Sequence, residues 1–271
     1  MNAPAHDSSL RHGLSDAQWS VAGPLPNRLA KGPGRPSGGN RLFLHAVLWM
    51  ARAGAPWRDL PAEFGHWRAI HARFLRWARK GVWGRLFAEL ADSGSADWVS
   101  FDSVSLKAAP CASGARKRGK SPQASQKREA LGRSMGGLAT KFHAAVSSCG
   151  RLLSGFLTPG QTADARMGAS LCRSIAALAP AGVCADRAYD SAKIRAQIEE
   201  MGAEAVIPSR SGRLVKIPHD EKKYKERNKA ERYFGRLKNW RKIILRTDKL
   251  AVACLSWIWL ISALEWLGPG F

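Results

Sequence analysis

The sequence is short of acid, of paired cysteines and of any long apolar run, and each shortage excludes something. Twenty-one Asp and Glu face forty-three Lys and Arg over 271 residues, a formal charge of +22. Such an excess repels itself unless a polyanion neutralises it, and nucleic acid is the usual one. A membrane surface is the rival partner, but no amphipathic basic helix stands free at either end, so no membrane association is expected. The five cysteines (Cys111, Cys149, Cys172, Cys184 and Cys254) are odd in number, scattered and never spaced as CxxC. That argues against a zinc site or a disulfide scaffold and for a reducing, cytoplasmic location. The start, MNAPAHDSSLRHGLS, lacks the apolar centre of a signal peptide. The stretch Leu250 to Leu264 carries no charge but is shorter than the ~20 residues a membrane span needs, so it reads as a buried C-terminal helix. No GxSxG, no Cys–His pairing and no Walker loop is present to carry the chemistry.

What is present suits a globular chain, 45% apolar and long enough for one large domain or two smaller ones. The first forty residues read as loop-rich, with a short helix at LSDAQWSVAGPL that Ser15 or Asp16 can cap. A basic Gly/Pro arm, KGPGRPSGGNR over 31–41, follows; its Arg35 resembles half of a minor-groove hook, although a plain linker has the same composition and is the favoured reading of the arm taken alone. Residues 40–91 read as helix, turn, helix, helix. In the middle helix Trp67, Ile70, Phe74 and Trp77 recur at helical spacing, with Arg68, Arg73, Arg76 and Arg79 on the other arc. An aromatic core stripe backed by arginines after a Gly/Pro turn fits a helix-turn-helix recognition element, although a solvated basic face on a helical bundle has the same pattern.

After DSGSAD the texture changes. WVSFDSVSLKA reads as a strand ending near Asp102, and the polar loop behind it is rich in base, including Arg116, Lys117, Arg118 and Lys120. KFHAAVSS and RLLSGFLT read as a hairpin. DARMGASLCRSIAAL is helical, GVCAD a short buried strand, SAKIRAQIEEMG a helix capped by Asp190, and AEAVIP a strand. The expected fold is α/β: a mixed sheet flanked by helices, with residues 96–271, C-terminal helix included, as one domain, and residues 1–95 as an all-α helix-turn-helix-like domain.

Three acids stand out. Asp102 and Asp186 follow strands, and the ends of central strands in an open α/β sheet are where side chains converge on a ligand. Glu231 lies in YKERNKAERYFGRLKNWRK, read as one basic helix. At about 100° per residue Tyr224, Arg227, Glu231 and Lys238 fall within an arc of roughly 60°. Glu231 can equally be explained as an i, i+4 partner of Arg227, which leaves Tyr224 and Lys238 unexplained. Three hard oxygen ligands among so many cations suit two divalent metal ions, Mg²⁺ or Mn²⁺, and an in-line phosphoryl transfer.

The spacing Tyr224-x2-Arg227-x3-Glu231-x6-Lys238 resembles the signature of bacterial insertion-sequence transposases with an Asp-Asp-Glu triad, in particular the insertion-sequence-five family. RLFLHAVLWMARAGAPWRDLP resembles that family's helical N-terminal domain, GGLATKFHAAV and LTPGQTAD its central hairpin, and ADRAYDS its second-Asp motif. The chain departs from the pattern in having no histidine in the run after Asp102, and Arg187 where lysine is common. The resemblance implies an RNase-H-like catalytic fold, with Asp102, Asp186 and Glu231 as the metal-binding catalytic triad. It further implies that Tyr224, Arg227 and Lys238 contact DNA near the scissile phosphate. The implied activity is cleavage at the element's ends and transfer of the 3′-hydroxyl into target DNA. The implied partners are double-stranded DNA, as terminal inverted repeats and target, and a second copy in a homodimer or larger synaptic complex. The competing expectation is a catalytically silent or domesticated transposase acting as a sequence-specific DNA-binding repressor.

Overall fold

The computed structural model describes residues 13–30, 38–91, 97–113 and 129–268. Of the residues singled out above, Arg35, Arg116, Lys117, Arg118 and Lys120 lie outside the described residues. The chain forms two compact units: Met1–Leu90 with Asn239–Ile243 and Val252–Phe271, and Ala91–Lys238 with Ile244–Ala251.

The first unit is helical. Helix α1 (Asp16–Ala22) is opened by Ser15, whose hydroxyl accepts from the Gln18 amide while the Gln18 side chain accepts from the Ser15 amide, a capping box. A helix not foreseen from the sequence, α2 (Pro24–Leu29), begins at once, because Pro24 and Pro26 occupy first-turn positions where no amide hydrogen is missed. Helices α3 (Asn40–Ala53), α4 (Trp67–Arg79) and α5 (Val82–Leu90) follow the expected pattern, and two short 3₁₀ turns fill the link between α3 and α4. Phe43, Phe74, Trp77 and Trp83 form one aromatic centre, with Trp83 Nε1–H donating to the Phe74 carbonyl at 3.3 Å.

The C-terminal helix α11 (Ala251–Trp266) clusters with this unit and not with the sheet, unlike the 95/96 division expected. The reason is aromatic. Trp257 stacks on Phe74 at 4.2 Å between centroids and on Trp57 at 5.9 Å, and Trp259 meets Phe87 at 4.8 Å. A helix apolar all round is buried all round, and these rings supply the surroundings. Among the described residues no helix is long and apolar enough to cross a membrane.

The second unit is a mixed seven-stranded sheet. Strand β1 (Trp98–Ala108) is central. It pairs antiparallel with β3 (Gly137–Ser147), and β3 pairs antiparallel with β4 (Leu152–Pro159) and, at its start, with β2 (Gly132–Ser134). On its other edge β1 pairs parallel with β5 (Gly182–Ala185), which pairs parallel with β6 (Glu204–Val206). Three antiparallel strands followed by two parallel ones, in spatial order β4-β3-β1-β5-β6, with helices on the sheet, is the RNase-H-like arrangement. A short β7 (Leu245–Arg246) pairs with the far end of β1, at Lys107 and Ala108.

Helices α6 (Ala165–Ile175) and α7 (Ala192–Glu200) pack together on one face, where Val99, Phe101, Leu171, Ile175, Ile194 and Ile198 make the core. The remaining helices are α8 (Glu221–Tyr224), α9 (Asn228–Leu237), which contacts β1 and β3, and α10 (Arg241–Ile244). Asp190 does not cap α7. Its buried carboxylate accepts from Arg195 Nε at 3.0 Å, Arg213 Nη1 at 2.7 Å and the Arg210 amide at 2.9 Å. Burial alone pushes that carboxyl up, but these donors outweigh it and hold it below its ordinary value.

Trp257→Ala is expected to destabilise the helical unit by about 3–5 kcal/mol, seen as early loss of amide protection in α3, α4 and α5. Equal loss across β1, β3 and β5 would assign α11 to the sheet instead.

Candidate active site

Strand β1 does not end at Asp102 as expected; it runs on to Ala108. What ends there is its neighbour. Ala185, the last residue of β5, is level with Phe101, so Asp102 and Asp186 leave adjacent parallel strands at the same height. The β-branched and small residues GVCA keep β5 buried on both faces, and Asp186 then turns out of the sheet, its carboxylate accepting from the Ala188 amide at 2.9 Å.

Side chains alternate along β1, which sends Ser100 and Asp102 to the face that α9 covers. There the Ser100 hydroxyl donates to the Glu226 carbonyl at 3.2 Å. The basic segment expected as one straight helix is broken: α8 ends at Tyr224, residues Lys225–Arg227 form a 3₁₀ turn, and α9 begins at Asn228. The tighter turn brings Arg227 over the sheet end. Its Nη1 donates to Glu231 Oε1 at 2.6 Å and its Nη2 lies 3.6 Å from Asp102 Oδ2. The i, i+4 pair and the link to Asp102 are therefore both present in one guanidinium.

The carboxylates feel one another. Burial raises Asp102 to about 6; Arg227 and the Ser103 amide, which donates to Oδ1 at 2.9 Å, pull it down, while Asp186 and Glu231 push it up. Burial also raises the Tyr224 phenol, which lies in the field of Arg227, Asp186, Asp102 and Glu231. Asp102, Asp186, Tyr224, Arg227 and Glu231 thus gather in one place. Lys238 does not join them directly. It is exposed at the C-terminal end of α9, about 10 Å beyond Glu231 at 1.5 Å per residue.

A fourth acid, unremarked in the sequence, lies beside them. Asp164, just before α6, accepts from the Ser103 hydroxyl at 2.7 Å, pairs with Lys141 Nζ at 3.2 Å and lies 3.5 Å from His143 Nδ1. His143 is buried and held near 4, chiefly by burial, so it is neutral; its Nε2 meets the Thr158 hydroxyl at 2.8 Å. The Asp164 chain reaches Asp102 through Ser103, whose amide and hydroxyl serve one carboxylate each. The signal was present in TKFHAAV opposite LTPGQTAD, but only the antiparallel register puts His143, Lys141 and Ser103 on one face.

Whether these groups suit a divalent cation is a question of donors. All are carboxylate oxygens, the set that Mg²⁺ and Mn²⁺ prefer. The Tyr189 hydroxyl, fully buried and in the field of Asp164, Asp102 and Asp186, has no hydrogen-bond partner among the described residues, as expected beside a polar group or ion. Among the described residues no three His, Cys, Asp or Glu side chains close on a single point. Arg227 stands between Asp102 and Glu231, so closing them on a cation requires that guanidinium to turn aside. The donor chemistry fits, with Arg227 in the part of the counter-charge.

The helical unit answers differently for the four arginines of α4. Arg68, Arg76 and Arg79 are exposed, but Arg73 is 9% exposed and does not share their face. It lies over Phe43 at 4.1 Å and Trp77 at 5.0 Å, and it donates to the Asn40 side chain. On the wheel Arg73 is only about 40° from Trp77, at the margin of the aromatic stripe, and ring faces draw it inward. Burial holds it down to about 10.

Comparison with known proteins agrees with the geometry. Residues 14–87 match a family described as a putative transposase of the IS4/5 family, and residues 99–266 match the transposase DDE domain. The chain is 34% identical over 131 residues to a putative transposase for insertion sequence element IS6501 of Brucella ovis, covering 48% of this chain and 99% of that protein. It is 44% identical over 115 residues to an uncharacterized protein of Sinorhizobium fredii, covering 41% of this chain and 91% of the other. A Mos1 transposase paired-end complex with left transposon end is similar at 15% identity and a TM-score of 0.25, over 65% of this chain and 60% of that one. The match over residues 99–266 spans more than half of the chain, which therefore belongs to the transposases with a DDE domain. It is a DNA transposase, and enzymes of this family work with divalent metal ions.

The raised Asp102 makes a stability prediction. An acid whose folded pKa lies above its unfolded value of 3.8 costs stability as pH rises through that window, and the cost is complete above about 6. With chelator present, Asp102→Asn is expected to stabilise the protein above pH 6 by up to roughly 3 kcal/mol, with the gain vanishing near pH 4. Urea unfolding across that range checks it, and a variant less stable than wild type at high pH contradicts it.

Proposed function

We infer that Asp102, Asp186 and Glu231 are the acids of the DDE domain that hold two divalent ions, Mg²⁺ or Mn²⁺, for the cutting and joining of DNA. The observation that carries this is the level meeting of Asp102 and Asp186 at neighbouring strands, with Glu231 tied to Asp102 through Arg227. Two such ions, held by these carboxylates, would activate a water or 3′-hydroxyl and stabilise the leaving oxygen of an in-line phosphoryl transfer. The protein supplies the rest. Asp102 must lose its proton before it can bind a cation. Arg227, displaced from Asp102 and Glu231, is free to pair with a phosphate of the incoming strand, and the Tyr224 phenol sits beside the same acids to orient it. Lys238, farther along α9, reaches the next part of the backbone. Carboxylates serve because they hold metal without attacking the substrate, so no covalent protein–DNA intermediate forms.

The exposed Arg68, Arg76 and Arg79 of α4 give the helical unit the task of docking the element's terminal inverted repeats, with target DNA entering at the acids. Two ends have to be brought together, which calls for a dimer or larger assembly.

Asp102→Ala, Asp186→Ala and Glu231→Ala are each expected to abolish cleavage of DNA carrying the gene's own flanking ends in Mg²⁺ while leaving binding largely intact. A variant that cuts undiminished removes its residue from the set, and wild-type binding without nicking in either metal favours a repressor. Proton and metal compete for Asp102, so cutting should fade as pH falls through about 6, with the midpoint moving lower as metal is raised. A midpoint indifferent to metal concentration would break that link. Asp164→Asn should weaken metal affinity about 10- to 100-fold without ending catalysis, as removal of a supporting partner does. Titration with Mn²⁺ measures it, and unchanged affinity would leave Asp164 a purely structural residue.

A further inference from the structure

On the face of the sheet that carries Ser103 and Lys141 lies a cavity of about 650 Å³ whose lining includes Ser105, Lys107, Arg133, Lys141 and Gln161. It has three cations and no carboxylate of its own. Ser105 and Lys107 point to the face opposite Asp102, the face of Ser103, and stand opposite Lys141 and Ala139 of β3, so floor and wall are parts of the same paired register. At 3.3–3.4 Å per residue they lie about 10 and about 17 Å farther along the strand than Asp102. Lys141 is already engaged with Asp164, which leaves Lys107 and Arg133, both exposed, as the uncompensated charges. The two faces meet at an open edge: among the described residues β5 pairs with Trp98 to Phe101 and β7 with Lys107 and Ala108, so Asp102 to Leu106 have no strand partner on that side.

The rim carries a second signal. Strands β2 and β3 are joined by a two-residue turn, Met135-Gly136, with Gly137 following at φ +98. Met135 at the tip is fully exposed, an unbranched apolar side chain held out from a basic hairpin. Bare phosphate needs no such group. A nucleic acid, with charge along its backbone and apolar faces on its bases, matches both halves, since apolar wedges between bases commonly accompany basic contacts to the backbone.

We propose that this cavity is a second DNA strand site, in which Lys107 and Arg133 hold the backbone of a duplex that passes from the acids over the open edge of β1, and Met135 presses against its bases. This rests on the DNA-cutting role of the acid site, and the test separates the two. The full chain carrying Lys107→Ala and Arg133→Ala is compared with wild type and with Asp102→Asn, using a short fluorescent duplex of arbitrary sequence and a salt titration in chelator. Loss of two phosphate contacts lowers the slope of log affinity against log salt by about 2, so wild-type affinity falls about tenfold more than the variant's between about 50 and 200 mM salt. Asp102→Asn keeps the wild-type slope. In Mg²⁺ the double variant cuts poorly at the higher salt and recovers at the lower, as a binding defect does and a chemical one does not. Met135→Ala keeps the slope but loses the fluorescence change of a base analogue placed in the duplex. An unchanged slope in the double variant overturns the strand site, as does an unchanged slope with lost binding of polyglutamate, which would make the cavity a seat for an acidic protein segment. Undiminished cutting by Asp102→Asn sinks the acid site alone and leaves the slope to judge the cavity.

Discussion

Three carboxylates cannot gather at the end of a buried sheet without a positive charge among them, and Arg227 supplies it. Its guanidinium joins Glu231 to Asp102, while Asp102 and Asp186 are brought level by the register of two parallel strands. Even so, burial holds Asp102 at about 6, well above an ordinary aspartate, with Asp186 and Glu231 adding smaller pushes. That burial is why ionising the site costs stability.

The supporting residues follow from it. Ser103 spends its amide on Asp102 and its hydroxyl on Asp164, and Asp164 is balanced in turn by Lys141. Neutral His143, buried beside them, adds bulk without adding charge. The buried hydroxyl of Tyr189 has no partner among the described residues and lies in the field of Asp164, Asp102 and Asp186. These groups are positioned by the pairing of β1, β3 and β4, the rigid centre of the unit.

Much of this was legible in the chain. The small apolar run GVCA announced a buried strand and so the place of Asp186, and the stripe of Tyr224, Arg227 and Glu231 marked one helix face. The hairpin, the capped first helix and the buried C-terminal helix were equally plain. What escaped was set by tertiary context. The length of β1 was hidden because Ser103 and Ser105 look like a turn, yet are half of a ladder with His143 and Lys141. The 3₁₀ break at Lys225–Arg227 leaves no mark in a helical wheel, and Arg73 was misassigned because a wheel cannot weigh a ring face against water. Leu250 to Leu264 gave its burial but not its companions, which are aromatic rings some two hundred residues away in sequence. Asp164 was visible only once two strands were laid side by side.

The central claim is that the acids form one metal site and that Arg227 yields to the metal. Crystals soaked in Mn²⁺ and measured at its absorption edge test this most directly. The account predicts anomalous density between Asp102 and Asp186, with the Arg227 guanidinium turned away from Asp102 and Glu231. Manganese bound elsewhere, or Arg227 still bridging the two carboxylates at saturating metal, would contradict it.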